Sequence, residues 1–271
     1  MGIDHYENFP VASVLLPKRL RRPIELIYQF ARTADDFADE GDDQPSQRLY
    51  KLGEYQRQLD IIEQDGAPLT ALFVELKQVI RQYGLPIGLF RDLLSAFSQD
   101  VVKNRYASFA EVLDYCRRSA NPVGRLLLHL YGSVSETNLY HSDRICTSLQ
   151  LINFLQDIGA DYRRNRIYLS LDELQDFGIS ETQIAAEDPA GNWASLMTFQ
   201  IERAQSMLKS GAPLGLALPG RIGLELRMIV CGGTRILEKL HAIQGDVFNQ
   251  RPVLRASDWI IMLYRSIFSY R

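Results

Sequence analysis

Apolar residues recur at spacings of three and four along almost the whole chain, the periodicity of a helix with one buried face. Ile24, Ile27, Tyr28 and Ala31 form one such series. Segments that alternate apolar and polar residues between turn signals are scarce, so strands are not expected. The sequence therefore predicts an all-α fold of roughly ten helices joined by short loops.

Proline marks several of the predicted helix boundaries. Asn121-Pro122 is expected to bend or break the 109–133 segment, because proline lacks the amide N–H that a helix interior needs. Pro23, Pro68 and Pro86 stand where helices are expected to begin. The predicted helices are 23–40, 46–65, 68–83, 86–103, 109–133, 141–163, 190–210, 219–246 and 256–269, with short turns at 171–177 and 180–187.

Length and composition exclude several classes of protein. Hydrophobic residues make up 46% of the 271 residues and charged residues 23%, which is ordinary for a globular chain and excludes a disordered one. A net charge of −3 provides no basic field for nucleic acid. Residues 211–220 (GAPLGLALPG) are the best candidate for a domain boundary, but helical patterns continue on both sides. We therefore predict one domain over residues 1–271.

The cysteines and the apolar segments bear on the compartment. Cys116, Cys146 and Cys231 are odd in number and too far apart for a CxxC pair, which favours reduced thiols in the cytoplasm. The first residues, MGIDHYENFP, lack the apolar stretch of a signal peptide, and no apolar run reaches the roughly 18 residues of a membrane span. The apolar stretch 259–268 has two interpretations, a helix packed on the core or a helix at a membrane surface.

A first acidic cluster lies in the sequence YQFARTADDFAD. On a helix, one polar face collects five side chains: Tyr28, Arg32, Asp35, Asp36 and Asp39. Carboxylates at the C-terminal end of a helix meet the negative end of the macrodipole, which costs stability unless a cation compensates. The cluster therefore indicates a cation site, and the alternative is a solvated acidic helix end.

A second acidic cluster lies in the sequence QLINFLQDIGAD. Asn153, Asp157 and Asp161 are spaced four residues apart, so they are predicted to form one stripe along a helix. The residues that flank the stripe are apolar, which indicates a buried segment. Buried carboxylates repel one another unless they are protonated or neutralised by a cation. The alternative is a hydrogen-bond network between helices.

The two clusters together are more specific than either alone. Oxygen ligands suit Mg²⁺ better than zinc or copper, and Mg²⁺ usually completes its shell with water and phosphate oxygens. The chain has no GxxxxGK[ST] loop, no GxGxxG after a strand and no HxxxH pair, so nucleotide, Rossmann and zinc sites are unsupported. The sequence therefore predicts a metal-bound diphosphate in a helical cavity.

These motifs resemble those of the head-to-head isoprenoid synthases, the squalene/phytoene synthase family. The resemblance runs from about His5 to the region of Phe248. It implies a single-domain isoprenoid synthase fold (a helical bundle around a central cavity), Mg²⁺ as cofactor and an isoprenoid diphosphate as substrate. The motifs that carry it are LLP at 15–17, IYxFxRxxDDxxD at 27–39, YC at 115–116, NxxxDxxxD at 153–161 and RIYL at 166–169.

Three segments are similar to the bacterial hydroxysqualene synthases of the hopanoid pathway: ENFPVAS (7–13), YCRRSANPVGR (115–125) and FLQD (154–157). This similarity implies conversion of presqualene diphosphate and water to hydroxysqualene. It also implies functional coupling to a presqualene diphosphate synthase and to a reductase that forms squalene. One departure is Gln244-Gly245-Asp246, where the family often has an acidic residue and a tyrosine, so one aromatic ring of the cavity wall is expected to be absent.

The resemblance also implies roles for individual residues. The metal ligands are Asp35, Asp36, Asp39, Asn153, Asp157 and Asp161. The catalytic residues are Tyr28, Arg32, Tyr115 and Tyr168. The substrate-binding residues are His5, Asn8, Phe9, Arg117, Arg118, Asn121, Gln150 and Arg166, with a surface basic pair as the alternative for Arg117 and Arg118 and core packing for Phe9.

Two alternative functions stay open at this point. One is a condensing head-to-head synthase that makes presqualene diphosphate, squalene or phytoene from two farnesyl or geranylgeranyl diphosphates. The other, from a different class, is a non-catalytic helical scaffold. In a non-catalytic scaffold we expect some of the motif carboxylates to be replaced, whereas every carboxylate of both motifs is present. The expected location is the cytoplasm, with peripheral contact to the inner membrane because the substrate is so apolar.

Overall fold

A computed structural model describes residues 16–270, and within them it contains fourteen helices and no strand. The all-α prediction is confirmed. No helix in this range is long and apolar enough to cross a bilayer. The helices are α1 (Lys18–Asp39), α2 (Pro45–Glu63), α3 (Ala71–Tyr83), α4 (Ile87–Val102), α5 (Phe109–Ser119), α6 (Asn121–Tyr131), α7 (Glu136–Gln156), α8 (Ile158–Arg163), α9 (Leu171–Asp176), α10 (Glu181–Ala185), α11 (Trp193–Gly211), α12 (Leu214–Ala217), α13 (Gly220–Ala242) and α14 (Ala256–Phe268).

The predicted break at Asn121-Pro122 is confirmed. Helix α5 ends at Ser119 and α6 begins at Asn121. Pro122 therefore occupies the first turn of α6, where an amide N–H would have no partner within the helix. The break allows one long apolar pattern to form two helices.

The prediction that a helix begins at Pro23 is wrong, because α1 begins at Lys18 and Pro23 lies inside it. A proline there leaves the carbonyl of Arg19, four residues earlier, without its helical donor. The hydroxyl of Tyr83 donates to that carbonyl at 3.4 Å. Leu20 and Ile24 are fully buried on either side of the proline, so packing favours one continuous helix over the local preference of proline.

By its internal contacts the chain divides into two compact units, Met1–Lys103 with Arg118–Leu139, and Asn104–Arg117 with Tyr140–Arg271. In the first unit α1 contacts α2, α3, α4 and α6. Its buried face centres on the ring of Phe30, which meets the rings of Phe73 and Phe90 edge to face at 5.8 and 5.2 Å. The prediction of one domain over residues 1–271 stays a prediction.

In the second unit, α13 contacts α11, α12 and α14. Trp193, at the start of α11, is fully buried and donates from its indole N–H to the carbonyl of Gly245 at 2.8 Å. Gly245 has φ +72°, and a Cβ there would lie 2.3 Å from the Cβ of Met197. Glycine is therefore required where the chain turns after α13.

Helices α7 and α11 approach closely at Gly211, which makes this glycine a test of the packing. A Cβ at Gly211 would lie 2.6 Å from the carbonyl oxygen of His141 and 2.9 Å from the amide nitrogen of Ile145. Backbone atoms cannot yield as a flexible side chain can, so we expect Gly211→Ala to lower the free energy of unfolding by about 2 kcal/mol or more. Urea unfolding measures the change.

The control is Gly88→Ala in α4, where an added Cβ meets no atom within 4 Å. Alanine restricts the unfolded chain more than glycine does, so this control should raise the free energy of unfolding by about 0.5–1 kcal/mol. Equal effects at the two positions would contradict the close approach of α7 and α11.

Asp258 joins α14 to α13 through buried ionic hydrogen bonds. Its side chain is 2% exposed, contacts the ammonium of Lys239 and accepts from the amide N–H of Arg255 at 2.6 Å and from Nε of Arg235 at 2.7 Å. These three donors, Lys239 first, hold the pKa of the Asp258 carboxyl far below its usual range. The ionised carboxylate is therefore a stabilising group of the folded chain.

We expect Asp258→Asn to lower the free energy of unfolding at pH 7 by about 2 kcal/mol, because two buried cationic contacts lose their charged acceptor. The pKa of the Asp258 carboxyl is near 4 in the unfolded chain and lower in the folded one. Its ionised form therefore stabilises the fold at pH values above about 4, and this stabilisation is lost as the pH falls toward the folded-state pKa. The difference between wild type and variant should therefore shrink below about pH 4. Urea unfolding at several pH values measures it, and a difference independent of pH would contradict this account.

Candidate active site

The first acidic cluster forms the last three turns of α1, as the sequence predicts. Ala31, Ala34 and Ala38 on this stretch are buried, so one side of the helix end packs closely. Asp35 and Asp39 are one turn apart and both are part-exposed. Tyr28, two turns before Asp35, is also part-exposed. The face that the sequence predicts is thus helical and accessible.

Arg32 binds several carboxylates of its own helix end. Its guanidinium lies 2.7 Å from Asp36, 2.8 Å from Glu40 and 3.5 Å from Asp35. Because the shortest of these contacts go to Asp36 and Glu40, the charge of Asp35 is compensated least. Asp36, predicted as a metal ligand, is held by Arg32 in this structure.

Asp35 is the carboxyl of the first acidic cluster whose ionised form is disfavoured by its surroundings. Its pKa is raised from 3.8 to about 7, mainly by the loss of hydration and then by the negative charge of Asp39, while Arg32 opposes the shift. Asp100, a buried residue near the end of α4, adds further repulsion. The carboxylates of α1 and α4 thus form a negative site that a cation would relieve.

The second acidic cluster does not lie on one continuous helix, so this part of the prediction is wrong. Helix α7 ends at Gln156, α8 begins at Ile158, and Asp157 between them has φ −110° and ψ 12°. The amide N–H of Asp157 still bonds the carbonyl of Asn153 at 3.0 Å, and that of Asp161 bonds the carbonyl of Asp157 at 2.8 Å. The hydrogen bonds between residues four apart are therefore present on both sides of Asp157, although the helix is interrupted there.

Two residues that follow α13, Arg251 and Pro252, bind the junction between α7 and α8. Arg251 forms a two-pronged ion pair with Asp157, with Nε 2.6 Å from Oδ1 and the second nitrogen 3.1 Å from Oδ2. Next to it, the side-chain amide of Gln156 donates to the carbonyl of Pro252 at 2.7 Å. Two adjacent residues of the 251–252 segment thus bind two adjacent residues at the junction of α7 and α8.

Four aromatic rings meet next to the second acidic cluster. Tyr168 stacks on Phe154 with ring centroids 3.9 Å apart and planes 5° apart. Tyr106 and Tyr115 lie 5.6 Å from Tyr168 and 5.7 Å from each other. Phe154 directly follows Asn153 in α7. The four rings therefore form one contiguous group that includes a residue of the second acidic motif, and we call it the aromatic cluster.

The cluster contains two predicted catalytic residues, Tyr115 and Tyr168, and two rings that sequence reasoning missed. Phe154 lies inside the second motif but was interpreted only as an apolar neighbour of the stripe. Tyr106 precedes α5 in a segment without helical periodicity. Its position is fixed by non-local bonds, since its carbonyl accepts from the amide of Leu171 at 2.8 Å.

The other predicted substrate-binding residues have varied surroundings. Arg117 is half exposed and pairs with Asp114 on the same helix at 2.8 Å, whereas Arg118 donates to Ser95 at 2.9 Å and to Gln99 at 2.5 Å. Asn121 is buried at the start of α6, and Gln150 and Arg166 are part-buried. His5, Asn8 and Phe9 lie outside the described residues.

The donor atoms of both clusters fit Mg²⁺. Within residues 16–270, no three His, Cys, Asp or Glu side chains converge closely enough to hold a metal ion by themselves. Mg²⁺ is usually bound through one or two carboxylates, with water and substrate phosphates completing the shell. Carboxylate and amide oxygens, together with the repulsion around Asp35, match that requirement and would suit zinc poorly.

Comparisons with known proteins agree with the sequence motifs. The Squalene/phytoene synthase family profile matches residues 4–258. A hydroxysqualene synthase of Rhodopseudomonas palustris is 35% identical over 97% of this chain and 88% of its own. A phytoene synthase of Mycobacterium tuberculosis is 30% identical over 94% and 79%. A squalene synthase, HpnC, from Alicyclobacillus acidocaldarius superposes with a TM-score of 0.82 at 32% identity, covering 89% of this chain and 90% of that one. The chain therefore belongs to the squalene/phytoene synthase family.

Proposed function

We propose that this protein converts presqualene diphosphate and water to hydroxysqualene and diphosphate. The observation that carries the proposal is the aromatic cluster, because its rings can stabilise a cation and one of them, Phe154, belongs to the second acidic motif. The choice of this reaction within the family is supported by the similarity to a hydroxysqualene synthase over nearly the whole chain.

The charged residues have distinct roles in this proposal. Bound Mg²⁺ would neutralise the charge that develops on the departing diphosphate. We assign Mg²⁺ ligation in the first cluster to Asp35, Asp36 and Asp39, and in the second cluster to Asn153, Asp157 and Asp161. Arg32 and Arg251 present guanidinium groups at their respective acidic clusters, and each can form a charge-assisted hydrogen bond to a phosphate oxygen.

The aromatic cluster protects and directs the carbocation. Aromatic faces stabilise a desolvated cation by about 1–2 kcal/mol each. Tyr106, Tyr115 and Phe154 are buried, so a cation held against this cluster would be shielded from bulk water. The new C–O bond to water replaces the broken C–O bond to diphosphate, and the proton of the water is released.

A condensing synthase is the second candidate, and the similarity to a phytoene synthase at 30% identity favours it. In that case two linear isoprenoid diphosphates are the substrates. The proposed reaction instead needs one enzyme that supplies presqualene diphosphate and another that reduces hydroxysqualene to squalene.

The test incubates the purified chain and Mg²⁺ with presqualene diphosphate or with farnesyl diphosphate, each with and without NADPH. Mass spectrometry of the extracts should find hydroxysqualene from presqualene diphosphate, in equal yield with and without NADPH. Consumption of farnesyl diphosphate would favour the condensing reaction, and consumption of neither would contradict both candidates.

A further inference from the structure

Six large apolar side chains are exposed together on α14. Between 48% and 73% of each is accessible: Trp259, Ile260, Leu263, Tyr264, Ile267 and Phe268. The two charged residues of α14 lie on its other side, where Asp258 is buried and Arg265 binds Glu238 at 2.6 Å. We call the six residues the outer face of α14; it bears no charge of either sign.

The orientation of α14 is fixed by its inner side. Met262 and Ser266 are 3% and 1% exposed, and Asp258 is bonded to α13 and to the residue that precedes α14. At the other end, the hydroxyl of Tyr270 donates to the carbonyl of Ala212 at 2.8 Å. The exposure of the outer face is therefore a property of the packed helix.

We propose that the outer face of α14 docks on an anionic phospholipid surface. Residues 251–271 contain four arginines and one aspartate, but Arg251 and Arg265 pair with Asp157 and Glu238 and add no free positive charge at the face. Arg255, directly before α14, is exposed. Basic residues near apolar helices are attracted to anionic lipids. Trp259 and Tyr264 are the residue types that favour the boundary between lipid and water.

A second copy of the chain is the main competing occupant of the outer face. Two copies that met through this face would bring the exposed Arg255 of each chain toward one interface, where like charges repel. An anionic lipid surface attracts the same arginine.

The purpose of lipid docking rests on the proposed function. A substrate with two long isoprenoid chains dissolves in a bilayer rather than in water. A surface helix would bring the protein to the phase that holds the substrate. Docking itself is measured without substrate, so its failure and the failure of the proposed reaction are separate results.

The two tryptophans make the experiment direct. Trp193 is fully buried and Trp259 is 55% exposed, so a fluorescence change on adding vesicles reports Trp259. We expect vesicles of phosphatidylcholine and phosphatidylglycerol to shift the emission to the blue, and brominated lipid to quench it. Trp259→Phe should abolish both signals. Vesicles of phosphatidylcholine alone should bind more weakly, and added salt should weaken binding to the mixed vesicles.

The double variant Ile260→Glu/Phe268→Glu should reduce vesicle partitioning by about tenfold or more, since two apolar contacts become charged. Leu69→Glu is the matched control, because Leu69 is 78% exposed outside α14, and it should bind like wild type. Circular dichroism checks that each variant is folded. Absence of vesicle binding by wild type, equal binding by the double variant, or a wild-type dimer that the double variant dissociates would overturn the proposal.

Discussion

Replacing Asp35 by Asn should lower the turnover of presqualene diphosphate by about a thousandfold. A metal ion supplies several kcal/mol of charge stabilisation to a leaving group, and each 1.4 kcal/mol or so is a factor of ten in rate. The amide keeps the shape of the carboxyl but removes the charge that we assign to Mg²⁺. It also removes the desolvation and the repulsion that raise the pKa of Asp35. The metal-free variant is therefore expected to be at least as stable as wild type.

Two measurements check this result. One is the rate of product formation across a range of Mg²⁺ concentrations. The other is the increase in melting temperature when Mg²⁺ and inorganic diphosphate are added, since a ligand that binds only the folded state raises it. Asp35→Asn should lose both responses. Asp42→Asn, at an exposed aspartate just after α1, should keep both, and an active Asp35→Asn would contradict the metal assignment.

Replacing Asp157 by Asn should lower turnover by a similar factor, about a thousandfold, for the same reason. Its effect on stability should differ. Asp157 and Arg251 are 27% and 40% exposed, and partly exposed ion pairs of this kind contribute roughly 1 kcal/mol or less. We therefore expect Asp157→Asn to be inactive and slightly less stable than wild type.

The contrast between the two variants separates catalysis from folding. Urea unfolding gives the stability, and the presqualene diphosphate assay gives the rate. Asp176→Asn, at the exposed end of α9, is the control for a lost carboxylate outside the proposed site. Retained turnover in Asp157→Asn, or a loss of turnover matched by unfolding, would contradict the role proposed for Asp157.

Helix content was predictable because the apolar period of 3.6 residues is repeated along most of the chain. The two errors have a common cause. Pro23 is tolerated inside α1 because Leu20 and Ile24 bury one continuous face and Tyr83 replaces the lost donor. The break at Asp157 lies where the distant 251–252 segment binds Gln156 and Asp157. The helix propensity of neighbouring residues reports neither the tertiary packing around Pro23 nor the long-range contacts of Asp157.

Candidate site residues were predictable where they form spaced motifs, as Asp35 and Asp157 do. Asp100 and Tyr106 were missed because each belongs to a different segment and reaches its cluster only through tertiary packing. Arg251 lies three residues after Phe248, at the end of the region that the family resemblance covers. Its contact with Asp157 required the structure.

The most direct test of the proposed reaction supplies presqualene diphosphate and Mg²⁺ to the purified protein in ¹⁸O-labelled water, without NADPH. The proposed reaction forms its new C–O bond with water, so the hydroxysqualene recovered should carry one ¹⁸O atom in its hydroxyl group. A product without the label, or squalene or phytoene formed from linear diphosphates instead, would contradict the account.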